Sequence, residues 1–112
     1  MKPEVEKYLY DILTSAEAIV EYIGKKKDFK KYQKNRLLKR AIEREIMIIG
    51  EATGRIKKIT NEAILKNTKE IIGLRNKVVH AYDNVSDVLI WSIATVHIPN
   101  LIKEVKIILK AK

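Results

Sequence analysis

The sequence contains no cysteine, a single glutamine, a single tryptophan and only two histidines in 112 residues. Without cysteine, disulfides, thiol nucleophiles and thiolate metal ligands are excluded together. With His80 and His97 as the only imidazoles, a structural zinc site lacks donors, and nothing in the residues asks for a cofactor. No apolar run reaches 18 residues, so no membrane span is expected. The first residues, MKPEVEKYLYD, are acidic where a secretory signal would be basic and then apolar; a cytoplasmic protein is expected. No internal repeat, low-complexity tail or strand pattern is evident.

What is present is helical and basic. The length fits one domain, residues 1–112, with 46% hydrophobic residues to build a small core that oligomerisation would enlarge. The net charge of +9 points to an anionic partner, or to lysine-rich solvated helix faces. Pro3 suits a first helical turn, and Val5, Tyr8, Leu9, Ile12, Ala16, Ile19, Val20 and Ile23 recur at helical spacing up to a stop at Gly24.

Residues 24–34, GKKKDFKKYQK, read as a linker with six lysines against one aspartate and with Phe29 and Tyr32 interleaved. Such a stretch can bind single-stranded nucleic acid by phosphate contacts and base stacking. The favoured alternative is a solvated loop whose aromatics tuck onto a helical bundle. A second helix is expected from about Asn35 to Lys58. Its apolar arc (Leu38, Ile42, Ile46, Ile49, Ala52 and Ile56, widened by Leu37, Ala41, Ile48 and Ile59) is broad enough for two packing partners. One is the chain's own core and the other a second protomer. Gly50, Ala52, Thr53 and Gly54 form a small-residue patch where another helix can approach closely.

A short helical turn is expected over 61–67, capped by Thr60 or Asn61, then a helix from about Thr68 to Tyr82. Ser86 reads as the cap of a last helix, interrupted at Pro99, whose missing N–H deprives the Thr95 carbonyl of its partner and predicts a kink. The expected fold is all-α: an up-and-down bundle of four long helices plus a short fifth, paired as a two-fold homodimer.

The chemistry concentrates in Arg75-Asn76-Lys77-Val78-Val79-His80-Ala81-Tyr82. Arg75 can bind a phosphate through two parallel hydrogen bonds, and His80 can give or take a proton near neutrality. Asn76, four residues before His80, can orient its imidazole. On an ideal helix Arg75 and Tyr82 lie almost above one another, whereas Arg75 and His80 diverge by roughly 140°. Two facing copies would bring both groups to one point. The bland alternative is a polar network that closes two helices.

The octapeptide RNKVVHAY, with RAIER (40–44) and IGEA (49–52) before it, IGL (72–74) leading into it, and DVLIW (87–91) and IPNL (98–101) after it, resembles the HepT-like toxin subunits of the HEPN superfamily over roughly residues 5–105. An Arg-x4-His spacing alone recurs by chance; the order of the surrounding segments carries the resemblance. It implies a metal-independent endoribonuclease toxin that dimerises with two motifs facing across a cleft. It assigns Arg75 and His80 as the catalytic pair and Asn76 as the residue beside the arginine. Tyr82 matches the tyrosine that MntA-like minimal nucleotidyltransferase antitoxins modify with AMP. Expected partners are therefore an RNA substrate and such an antitoxin. The 2′-hydroxyl of RNA would attack the adjacent phosphorus, leaving a cyclic phosphate and a 5′-hydroxyl. The competing reading is a non-catalytic helical subunit that binds nucleotide or a nucleotidyltransferase and presents Tyr82 to it.

Overall fold

A computed structural model describes residues 1–80 and 86–111, the side chain of His80 excepted. Helix α1 (Pro3–Ile23) begins with its proline in the first turn and ends at Gly24, whose φ of 74° is accessible to a residue without Cβ. Helix α2 (Phe29–Lys34) follows, then α3 (Arg36–Ile59), α4 (Thr68–His80), α5 (Asp87–Ser92) and α6 (Ile98–Lys110). A single π turn, Ile93–His97, joins the last two into one continuous helical stretch. The described residues contain no strand, and the fold is the expected all-α bundle with four long helical segments; the short helix is α2 rather than the turn expected over 61–67.

Cross-links between helix ends give the topology. Lys2 Nζ donates to the Ile59 carbonyl at 3.4 Å, which sets the start of α1 beside the end of α3. Lys39 meets Asp87 at 3.2 Å, so α3 and α5 start together. The Lys66 amide, just before α4, donates to the Glu104 carboxylate on α6 at 2.8 Å. The four long segments therefore run up, down, up and down. Val5, Leu9, Ile12, Ala16 and Ile19 of α1 are buried against Ile42, Ile46, Ile49 and Ile56 of α3 and against Ile98, Leu101, Val105 and Leu109 of the last helix. Burying each such side chain is worth about 1.5–3 kcal/mol, so this three-sided contact dominates the stability. Helix α4 packs on the other flank of α3 through Ile71, Leu74 and Val78.

Two local expectations are corrected and a third takes a definite form. The stretch 24–34 is not all loop: Asp28 caps α2 by accepting the Lys31 amide at 3.1 Å. The aromatics of α2 do tuck inward, as the favoured reading had it. Phe29 and Tyr32 close on Trp91 with ring centroids 5.7 and 5.2 Å away, and Tyr32 is only 1% exposed. Residues 61–67 form no helical turn, because the Thr60 hydroxyl accepts the Glu62 amide and bends the chain instead. At Pro99 the expected interruption takes the form of one π turn, in which the Ile98 amide reaches back five residues to the Ile93 carbonyl.

The stretch Asp87–Lys110 is long and apolar enough to cross a bilayer by length and composition alone. Here Ile90, Ala94, Ile98, Leu101, Val105 and Leu109 line the protein's own core, and Lys103 and Lys106 lie on the opposite, exposed side.

Candidate functional site

Helix α4 carries the motif, and the way it is seated on α3 determines where Arg75 goes. Its apolar positions, Ile71, Leu74 and Val78, face the core. Arg75 follows Leu74 and lies over Gly50, which is buried in the middle of α3. A Cβ built on Gly50 would fall 2.6 Å from Arg75 Cγ and closer still to Arg75 Cβ. Glycine inside a helix costs about 1 kcal/mol relative to alanine, and here the bare backbone is what lets α4 come near enough to seat the arginine. Of the small-residue patch seen in the sequence, Gly50 is the point of approach; a Cβ on Gly54 would meet nothing within 4 Å.

From that seat the half-buried Arg75 side chain runs outward. Nη1 donates to the Asn76 side-chain oxygen at 3.2 Å, and Nε is buried with no hydrogen-bond partner among the described residues. None of the ion pairs among the described residues involves Arg75. The guanidinium thus keeps its positive charge and most of its fork of donors uncommitted. A group so placed can hold an anionic oxygen pair, phosphate above all, with the geometry and charge-assisted strength that lysine lacks.

Asn76 is exposed, and the contact it makes is with Arg75, which leaves its amide nitrogen as a further donor toward a ligand. His80 is the last residue of α4, and its side chain lies outside the described residues. Tyr82 also lies outside them. The structure therefore brings Arg75 and Asn76 together on one continuous helix that reaches His80. Among the described residues no group of three or more His, Asp or Glu side chains is arranged to hold a metal ion.

Beside α4 a groove of about 550 Å³ opens toward the last helix. Ile49, Ile71, Leu74 and Ile93 make its floor, and Glu70, His97 and Asn100 stand on its rim. His97 has no place in the RNKVVHAY motif, and the bland alternative for it is a satisfied core or surface histidine. The π turn ends at His97 and leaves it exposed at the groove. The signal available for it was Pro99 two residues later, since the helical defect that a proline forces re-aims the residues just before it.

The chain has clear relatives among known proteins. The family model described as "Ribonuclease HepT-like" matches residues 12–108. "Putative RNase MJ1380" of Methanocaldococcus jannaschii is 35% identical over 96% of this chain and 98% of its own length. "Putative RNase TTE0752" of Caldanaerobacter subterraneus subsp. tengcongensis is 38% identical over 92% of each. No solved structure matches. A model covering the whole of α3 to α5 and most of α1 and α6, with relatives matched nearly end to end, leaves one conclusion: the chain belongs to the ribonuclease HepT-like family.

Proposed function

We propose that this protein is the RNA-cleaving toxin subunit of a toxin–antitoxin pair, acting without a metal ion. The observation that carries the reading is Arg75: an arginine locked at its stem over Gly50, with a buried Nε and no carboxylate partner among the described residues, in a family whose model is that of a ribonuclease. Arg75 holds the scissile phosphate and offsets the charge that develops on its oxygens. His80 takes the proton from the 2′-hydroxyl. The 2′-oxygen bonds to phosphorus, the bond from phosphorus to the 5′-oxygen breaks, and that oxygen collects a proton. The products are a 2′,3′-cyclic phosphate and a 5′-hydroxyl. Asn76 steadies the guanidinium through the 3.2 Å bond already formed.

The working unit in this reading is a two-fold homodimer with both motifs on one cleft. Exposed Leu89 and the open apolar groove beside α4 favour it, since they leave apolar surface of this chain without a partner. The second packing partner of α3, however, is this chain's own α4. Tyr82 is the point of control: a nucleotidyltransferase antitoxin attaches AMP there and silences the site.

The test is cleavage of single-stranded RNA by the purified protein in excess chelator, with analysis of the product ends. The expected result is cyclic phosphate and 5′-hydroxyl termini, lost in both Arg75→Ala and His80→Ala. A strict need for added Mg²⁺, or 5′-phosphate ends, overturns the mechanism. Light scattering that gives a monomer at micromolar concentration overturns the dimer.

A further inference from the structure

Charge is distributed very unevenly along this chain. Between Lys25 and Arg40 stand nine lysines and arginines against one acid, Asp28, a balance of +8 within a total of +9. The remaining residues hold fourteen cations against thirteen acids and are close to neutral. The anionic partner implied by the net charge therefore has one address.

The fold presents that segment as a fixed ridge. Phe29 and Tyr32 plug α2 onto Trp91, and Asn35 caps α3 immediately after it, accepting the Leu38 amide at 3.0 Å. Lys25, Lys26, Lys27, Lys30, Lys31, Lys34 and Arg36 are all exposed, and none forms an ion pair among the described residues. The one acid in the segment is occupied in capping α2. With Tyr32 buried and Phe29 half-buried against Trp91, the ridge offers charge and little base-stacking face. Leu37 is its only exposed large apolar side chain, too little for the apolar centre that a protein interface needs. Phosphodiester backbone is the partner that asks for spaced cations and little else.

The ridge also lies within reach of the motif. Lys39, near its end, is bonded to Asp87, and Asp87 follows His80 by seven residues, which limits the separation along the chain to roughly 25 Å. One RNA strand can span both.

We propose that Lys25–Arg40 is a track for the RNA backbone, which binds phosphates without reading sequence and leads the strand to Arg75. This deepens the ribonuclease reading and rests on it for the identity of the strand. The test is fluorescence anisotropy of the full-length protein with a labelled single-stranded 2′-O-methyl RNA, which lacks the nucleophile and cannot be cut. Binding is measured over a salt series for wild type and for two variants of equal charge change. One is Lys27, Lys30, Lys31 and Lys34→Gln on the track; the other is Lys57, Lys58, Lys103 and Lys110→Gln elsewhere on the surface. The track variant should bind about tenfold more weakly or worse, with the slope of log K against log salt falling by about 0.7 for each phosphate that is no longer neutralised. The control variant should stay near wild type. Lys25, Lys26 and Lys27→Gln, all before α2, tests the same point without touching that helix and should lose affinity in proportion.

Equal losses in both variants mean that only net charge matters, and unchanged binding means that the ridge is idle; either overturns the track. RNA binding retained while affinity for a polyglutamate peptide is lost assigns the ridge to an acidic protein and overturns it too. Cleavable RNA in parallel separates the two readings. A track variant that cleaves with raised KM and unaltered kcat satisfies both, and unaltered KM sinks the track alone. Track-dependent binding by a wild type that never cleaves sinks the ribonuclease reading and leaves the track standing.

Discussion

Gly50 of α3 lies directly beneath the stem of Arg75 on α4, so the motif arginine rests on bare helix backbone. This contact makes a sharp prediction. Gly50→Ala gains about 1 kcal/mol of helix propensity but inserts a methyl group against Arg75 Cβ and Cγ, close to the α4 backbone, where little can give way. Overpacking of this kind costs about 1–3 kcal/mol. We expect a net lower melting temperature and an RNA-cleavage rate reduced well beyond the loss of folded protein, because α4 and its arginine must move. Gly54→Ala, four residues on and facing open space, should instead raise stability by about 0.5–1 kcal/mol and leave cleavage intact. Thermal melts and cleavage assays on both variants decide it; similar behaviour of the two would refute the seating role.

The guanidinium itself should matter to chemistry and hardly at all to stability. It makes no ion pair among the described residues and one hydrogen bond to its neighbour. Arg75→Met keeps a stem of similar length over Gly50 and removes the fork of donors. We expect its melting temperature to stay within a few degrees of wild type while cleavage falls about a hundredfold or more. Arg75→Lys should recover only part of that loss, since an ammonium cannot grip two phosphate oxygens in one plane. A large drop in stability for Arg75→Met would mean that the arginine is chiefly structural.

Tyr82 supplies a prediction that intact mass can read. Incubated with a cognate nucleotidyltransferase and ATP, the wild type should gain one or more AMP units and lose RNA cleavage; Tyr82→Phe should gain none and stay active. An attached nucleotide brings a negative charge that repels the RNA backbone. Equal mass gain and equal silencing in Tyr82→Phe would place the modification elsewhere.

The features that the sequence disclosed are those set by neighbours along the chain. Pro3, Gly24, Asn35 and Ser86 mark helix ends because capping and backbone freedom act within one turn, and each stands where expected. Helix α2 was missed for a related reason. Six residues give too few turns for a period, although Asp28 was a visible cap. Thr60 was legible as a capping residue, but its hydroxyl closes a bend, a choice that the local sequence leaves open. Pro99 was legible as a defect. That the defect takes the form of one π turn is not written in any window around Pro99. At the site, the residue types and the glycine patch could be read off directly. That Arg75 lands on Gly50, 25 positions away in the sequence, is a tertiary fact.

Tyr32 makes the last prediction, because its ring is well used and its hydroxyl is not. The ring is buried against Phe29 and Trp91, while the phenolic oxygen has no hydrogen-bond partner among the described residues. Burial pushes the phenol well above its ordinary value, and the negative charges of Asp87 and Glu43 push it the same way. The folded state therefore holds this proton more tightly than the unfolded chain does. The stability linked to it is fully present below about pH 10, where both states are protonated. It is lost as pH rises from there toward the folded value, by at most about 1.4 kcal/mol per pH unit. Tyr32→Phe keeps the ring, removes an unpaired buried hydroxyl and removes the titration. At neutral pH it should match wild type or exceed it by about 1 kcal/mol. Above pH 10 the gap should widen in favour of the variant. Tyr22, which donates to Glu45 at 2.8 Å and is also shifted upward, remains in both proteins and contributes equally to their alkaline decline. Denaturant melts at pH 7 and above pH 10 measure the difference. A Tyr32→Phe protein that is clearly weaker at neutral pH would show that the hydroxyl has a partner in solution.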